Sequence, residues 1–400
     1  MKYDFTTIMD RSGKDSMAVD SLPFEGVQVK EGFSRIPMWV ADMNFPTVCT
    51  IPEAIIERAK HPAYGYFDAR DEYFQSIINW QEKRNDVTGL TRECIGYENG
   101  VLGGVLSALR VFCSQGDHIL IHSPTYIGFT YALTGAGYHI VHSPLKQDDA
   151  GVWRMDFEDM DQKLKKNKIH AVVFCTPHNP CGRVWERWEL EKAMEIFQKN
   201  DVMVVADEIW SDLTLYGHKH IPIQMVSEDA RMRTVALYAP SKTFNLAGLI
   251  GSYHIIYNKH IRERVEKESS LPHYNTMNVL SMHALIGAYK PEGFQWVDEL
   301  REVLAENVDY AYDYITTHFK GVTLAKPEGT YMLLLDCTKW CEEHKMSIDR
   351  LQKEGVSVGV IWQDGRPFLS PCGIRMNLAL PKVLVEEAMK RLDEFVFNCV

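Results

Sequence analysis

From about residue 95 to residue 258 the chain alternates short apolar runs with amphipathic stretches. The runs Asp117–His122, His170–Cys175, Val202–Asp207 and Thr234–Tyr238 are continuous and rich in Val, Ile or Leu. Continuity, rather than strict alternation, marks a strand whose sheet is covered on both faces. Helical patterns lie between the runs, among them Glu189–Gln198 and the stretch that opens at Val101. Regular strand–helix alternation predicts a mainly parallel sheet, because parallel neighbours must be joined by a crossover.

After Lys259 the pattern changes. Long helical periods run through Ile261–Ser269 and Trp296–Phe319, followed by a β-type stretch, Gly329–Asp336, and a final helix, Lys382–Phe397. These elements read as a second, α+β unit. The first 45 residues are loop-like and rich in Gly, Pro and Asp, and they are expected to cross from one unit to the other. The expected division is a large domain over 46–285 and a small one built from 1–45 with 286–400. No internal repeat or low-complexity linker interrupts either part.

Four hundred residues exceed what one hydrophobic core usually organises, which agrees with two units. Hydrophobic content of 46% with 24% charged residues is that of a soluble globular protein. A formal charge of -11 argues against nucleic acid or an anionic membrane as partner, although it does not resolve individual pockets. The start, Met1-Lys2-Tyr3-Asp4-Phe5, lacks the apolar stretch of a secretory signal, and no run reaches the roughly 18 apolar residues of a membrane span. The nine cysteines are odd in number and scattered. Neither Cys337 with Cys341 nor Cys175 with Cys181 has the second pair or nearby histidine that a metal set needs. Reduced thiols, no metal and a cytoplasmic location are expected.

Candidate chemistry gathers at the ends of the putative strands, where ligands of open α/β sheets bind. Ala239-Pro240-Ser241-Lys242-Thr243-Phe244-Asn245 follows the strand Thr234–Tyr238. A desolvated lysine there can lose its proton and attack a carbonyl, whereas a lone lysine is more often a solvated surface charge. Asp207 ends another strand, as a helix cap, a metal ligand or the partner of a protonated ring nitrogen. Pro177-His178-Asn179-Pro180-Cys181-Gly182 makes a tight turn, which would also present the Asn179 amide. Asn99-Gly100-Val101-Leu102-Gly103-Gly104 opens a helix, and free N–H groups at a positive helix end suit a phosphate monoester. Each signal is weak alone.

Their order and spacing together resemble the fold-type I pyridoxal-phosphate enzymes, the aspartate-aminotransferase-like superfamily, over nearly the whole chain. Within it the chain is most similar to the cystathionine β-lyase and cysteine-S-conjugate β-lyase subgroup that includes cystalysin. The stretches Tyr3–Thr7, Trp39–Met43, Pro177–Pro180, Gly182–Trp185, Asp207–Ile209 and, most specifically, Ser241–Gly248 carry the likeness. The resemblance implies an α/β fold with a mainly parallel seven-stranded sheet in the large domain and a smaller α+β domain. It implies pyridoxal 5'-phosphate as cofactor, held by Lys242 as a Schiff base, with Asp207 on the pyridine nitrogen and Asn179 on the ring 3-oxygen. Tyr126 matches the aromatic that stacks on the ring, though a half-buried core tyrosine is its bland reading. Val101, Leu102 and Ser241 match the phosphate cup, and Tyr66 the tyrosine that reaches the neighbouring subunit's phosphate in a homodimer. Arg375, in Gly373–Leu378, matches the arginine whose fork clamps the substrate α-carboxylate, aided by the backbone N–H of Ala41.

Two positions depart from the superfamily's pattern. Aminotransferases commonly carry an arginine eight residues past the lysine, and Ile250 stands there. Three residues past Asp207 relatives have His or Tyr for the 3-oxygen, and this chain has Trp210, which can donate one bond but cannot titrate. The expected reaction is β-elimination from a sulfur amino acid such as cystathionine, cystine or an S-alkyl cysteine, giving a thiol, pyruvate and ammonia. An aminotransferase is the alternative outcome of the same carbanion. A non-catalytic binding protein on the same fold is disfavoured because Lys242 and Asp207 are both present. Contacts to the substrate side chain are expected from loops around 10–45 and 270–280.

Overall fold

In the computed structural model, residues 1–270 and 274–398 are described. Seven strands form the central sheet: β1 (Ile95–Glu98), β2 (His118–Ser123), β3 (His139–Pro144), β4 (Ala171–Cys175), β5 (Met203–Asp207), β6 (Thr234–Tyr238) and β7 (Ser252–Ile255). Their spatial order is β1-β7-β6-β5-β4-β2-β3. The pairs from β6 to β3 are parallel, while β7 runs antiparallel to both its neighbours. The α/β fold and seven-stranded sheet expected from the sequence are therefore present. Four of the strands lie within a residue of the ranges expected for them.

Strand period divides the apolar runs between two cores. Leu120, Val172, Phe174, Val204, Ala206 and Ala236 point to one face, where they join helices Phe157–Lys166 and Arg187–Lys199. Ile119, Ile121, Val173, Val205, Val235 and Leu237 point to the other, where they meet Val105 and Leu109 of helix Val101–Phe112 and Val265 of helix Lys259–Ser270. Each fully buried Val or Leu contributes about 1.5–3 kcal/mol. Polar residues are confined to the strand ends, as with His122, Ser123, Thr234 and Asp207, so the centres of these strands read as apolar runs.

Strands β1, β3 and β7 carry no such run and are absent from the sequence expectation. β3 lies at the sheet edge and is largely half-exposed. β7 buries His254, whose Nδ1 lies 2.8 Å from Glu98 Oε1 on β1. A polar pair inside the sheet hides the strand from a hydrophobicity pattern.

Beyond the large sheet, Gly373–Asn377 is the middle strand of a three-stranded antiparallel sheet, between Met332–Asp336 and Gln363–Asp364. Helix Pro291–His318 is 28 residues long and starts five residues before the sequence expectation, with Pro291 in its first turn, where a missing N–H costs nothing. The final helix is regular over Lys382–Leu392 and widens into a π turn over Asp393–Phe397. Near the N-terminus, Ile36–Pro37 pairs in parallel with Val360–Ile361, and Met38 O accepts from Asn377 N at 2.8 Å. Met38 is thereby bound to the strand that carries Arg375. No helix among the described residues is long and apolar enough to cross a membrane.

Candidate active site

The carboxyl ends of β4, β5 and β6 and the start of helix Val101–Phe112 enclose a cleft lined by Asn179, Asp207, Trp210, Lys242 and Tyr126 among others. Lys242 sits four residues past the end of β6, in a turn closed by Phe244 N donating to Pro240 O and Leu246 N to Ser241 O. Its Nζ donates to the carbonyl of Ala41 at 2.8 Å and stands 5.8 Å from the centre of the Trp210 ring. Burial pushes its pKa down to about 8, and the charge of Arg375 pushes the same way against Asp42 and Asp207. At such a pKa roughly a tenth of the amine is neutral at pH 7, the form a nucleophile or proton acceptor needs and one an ordinary lysine scarcely populates.

Asp207 ends β5 and is 4% exposed. Its Oδ1 accepts from Ile209 N at 3.1 Å. Burial nevertheless lifts its pKa to about 7, so the carboxylate lacks a positive partner strong enough to hold its charge. A protonated pyridine nitrogen is such a partner.

Arg375 comes from the strand Gly373–Asn377 and is buried. Its Nη1 donates to Asn179 Oδ1 at 3.4 Å and its Nη2 to Trp39 O at 3.1 Å, while its guanidinium lies 4.4 Å over the Phe368 ring. The Nε is buried without a hydrogen-bond partner, and burial lowers the group's pKa to about 10. A guanidinium kept from water, with carbonyl-type acceptors only and a spare donor, is the half of an ion pair that awaits a carboxylate.

At the opposite end of the cleft, Gly100 at φ +79° turns the chain into helix Val101–Phe112. The first helical bond there is Gly104 N to Gly100 O, so the N–H groups of Val101 and Leu102 precede it. Ser241 lines the same end, and Ile250 occupies it in place of a cation. Tyr126 caps helix Ile127–Gly135, its ring edge-on to Phe129 at 5.4 Å. A Cβ on Gly128 would lie 2.3 Å from Tyr126 Cε1, so the ring's position depends on that glycine.

The structure thus brings Lys242, Asp207, Asn179, Tyr126, Val101, Leu102, Ser241, Trp210 and Ala41 to one cleft, with Arg375 in contact with Asn179. Ala41 presents its carbonyl to Lys242. Tyr66 lies elsewhere, at 111% exposure, beside Thr276 and Met277. Of the loop expected at 270–280, residues 271–273 lie outside the described residues. Three positioning residues escaped the sequence reading: Gly128, Asn245 and Asn377. Asn245 and Asn377 stood inside the quoted motifs, yet their bonds run to residues 40–43, more than a hundred positions away.

A pyridine aldehyde bearing a phosphate monoester fits these residues: free helix N–H groups and Ser241 for the phosphate, Tyr126 for the ring, Asp207 for its nitrogen, Lys242 for the aldehyde. The model for aminotransferase class I and II matches residues 41–392. The chain is 32% identical to the cystathionine beta-lyase PatB of Bacillus subtilis over 89% of its own length and 91% of that protein's. Among solved structures it is similar to cystalysin from Treponema denticola, which contains pyridoxal 5'-phosphate (TM-score 0.90, 29% identity, 98% of each chain). It is also similar to the pyridoxal-phosphate-bound C-S lyase from Staphylococcus hominis (TM-score 0.89, 28% identity, 100% of this chain and 99% of that one). The chain belongs to the aminotransferase class I and II family, in its fold-type I form, and its cofactor is pyridoxal 5'-phosphate.

Proposed function

We propose that this enzyme cleaves the Cβ–S bond of a sulfur amino acid such as cystathionine, cystine or an S-substituted cysteine, releasing a thiol, pyruvate and ammonia. The observation that carries the reading is Arg375, a buried guanidinium paired with no carboxylate among the described residues, in contact with Asn179 of the cleft that holds the lowered amine of Lys242. The names of the similar proteins, cystathionine beta-lyase and C-S lyase, support the same reaction.

Each residue then has a task. Arg375 forks onto the substrate α-carboxylate, with the Ala41 N–H beside it. Lys242 would hold the cofactor through its amine, and the same amine, once free, would take the α-proton of the substrate. Bound pyridoxal phosphate supplies the electron sink for the pair left on Cα. Asp207 would hold the ring nitrogen in its protonated form, Asn179 and Trp210 would lie beside the ring oxygen, Tyr126 would face the ring, and Val101, Leu102 and Ser241 would hold the phosphate. The electron pair returns to form the Cα=Cβ bond as the C–S bond breaks and the thiolate leaves. The resulting enamine hydrolyses to pyruvate and ammonia.

The reading also takes the active unit as a homodimer. The continuous exposure of His61–Asp68, including Tyr66, supports a surface that meets a partner. It keeps the division into 46–285 and 1–45 with 286–400, which the pairing of Ile36–Pro37 with Val360–Ile361 supports.

The test is incubation of the purified enzyme with L-cystathionine and no keto acid. Sustained pyruvate release is the expected result. Turnover only when a keto acid is added would favour the aminotransferase that the family's description also allows.

A further inference from the structure

The amine of Lys242 has two neighbours that accept a positive charge at close range. One is the Ala41 carbonyl at 2.8 Å, and the other is the face of Trp210 at 5.8 Å. The charged groups around it come from three other elements: Arg375 from its strand, Asp42 from the segment 39–43, and Asp207 from β5. Asp42 and Asp207 favour the ammonium through their charge, but neither forms a hydrogen bond with it among the described residues. Arg375 repels it. Asp42 is paired with Arg11 at 2.5 Å. Asp207 is the partner of the ring nitrogen in the reading above.

Trp210 is held rigidly for this contact. It is 2% exposed and packs edge-on against Tyr331, itself fully buried, at 4.8 Å. An aromatic face attracts an ammonium through its quadrupole, and most strongly where water is excluded. Unlike the His or Tyr of relatives, an indole offers this attraction unchanged at every pH of interest.

We propose that the Ala41 carbonyl and the Trp210 face form the docking site of Lys242 in its protonated, unattached form, with Trp210 as a positioning residue that sustains the lysine's basicity. The inference rests on the assignment of Lys242 as the cofactor-bearing lysine. After Lys242 takes the α-proton, its ammonium has a defined place to stand while the C–S bond breaks. The lysine then keeps its proton until the thiolate has gone.

The full chain, stripped of cofactor, is mixed with pyridoxal phosphate across a pH series, and capture is followed by visible absorption. Only the neutral amine attacks, so the midpoint of the rate profile reports Lys242. In Trp210→Leu the midpoint is expected to fall by about one pH unit. Trp210→Phe, which keeps a weaker quadrupole in a similar shape, is expected to fall by less than half as much. An unchanged midpoint in Trp210→Leu, or equal shifts in both variants, would overturn the proposal. If Trp210→Leu fails to fold, the wild-type midpoint in Trp210→Phe overturns it equally. Lys242→Ala serves as the control, and capture by that variant with the wild-type profile would remove the assignment beneath the proposal. Failure to release pyruvate from cystathionine would sink the lyase reading and leave the midpoint shift untouched.

Discussion

The side-chain amide of Asn245 forms two hydrogen bonds with the backbone of Met43, accepting from its N–H at 3.0 Å and donating to its carbonyl at 2.9 Å. The pair is the last stitch in a longer seam. Trp39 O accepts from Arg375, Val40 O and Asp42 O from Asn377 at 2.6 Å each, and Ala41 O from Lys242. Every carbonyl from 39 to 43 is therefore bonded by a side chain of the cleft or its rim. This five-residue strap sets the separation between the lysine and the arginine.

Asn245 adopts φ +58°, a conformation that Asn and Gly accept most readily. Asn245→Gly therefore removes both strap bonds without straining the backbone. Two lost bonds correspond to about 1–3 kcal/mol, and the strap should loosen while the fold persists. The expected result is a rise in KM of about tenfold with a smaller change in kcat, measured by pyruvate release, and a modest fall in Tm. An unchanged KM would mean that Asn377 alone fixes the strap.

The sequence made the site more legible than its scaffold. Lys242, Asp207 and Asn179 follow strands that are pure apolar runs, so both the strand and the residue at its end can be read locally. β7 could not be read, because its His254 meets Glu98 across the sheet and the pairing exists only after folding. The strap was visible as a motif at Trp39–Met43, but its purpose depends on side chains that arrive from residues 242–245 and 375–377. Tyr66 stands outside the cleft in a single chain.

Gly128 is the second residue of its helix and lies against the Tyr126 ring. A methyl there would meet Tyr126 Cε1 at 2.3 Å, Tyr126 Cζ at 2.7 Å and Leu102 Cδ1 at 2.9 Å. Alanine is otherwise a better helix residue than glycine, by roughly 1 kcal/mol. Gly128→Ala is therefore expected to leave the fold intact but push the ring from its place. Pyridoxal-phosphate affinity, measured by titration of the cofactor-free protein, should weaken about tenfold. Wild-type affinity would show that the ring can yield without cost.

Arg375 is costly for the empty protein and valuable for the loaded one. Its buried charge lacks a carboxylate, and its bond to Asn179 is long at 3.4 Å. Arg375→Met fills similar volume without the charge. Its Tm without substrate is expected to equal or exceed that of the wild type, while kcat/KM falls by about 100-fold or more, since a buried charge-assisted pair with substrate is worth roughly 2–5 kcal/mol. Full loss of folding would assign Arg375 a structural role instead.

Asp207 gives the cofactor-free protein a distinctive pH dependence. Burial is the main cause of its raised pKa, about 7 against an ordinary 3.8, while the Ile209 N–H and Lys242 oppose it and Glu208 assists. The neutral carboxyl is thus the form that the folded chain prefers. Between about pH 4 and pH 7 the unfolded chain has released this proton and the folded chain has not, so stability is fully present below pH 4 and is lost as pH rises towards 7. The full shift corresponds to about 4 kcal/mol as an upper limit. Asp207→Asn lacks the titration, and every other group is common to both proteins. Urea unfolding of the two cofactor-free proteins from pH 4.5 to 7.5 should show the wild type losing stability relative to the variant. Pyridoxal phosphate should remove the loss in the wild type, because a protonated ring nitrogen favours the ionised carboxylate. A pH-independent difference between the two proteins would show that Asp207 is already ionised in the empty cleft, and its charge would then have to be held by Lys242.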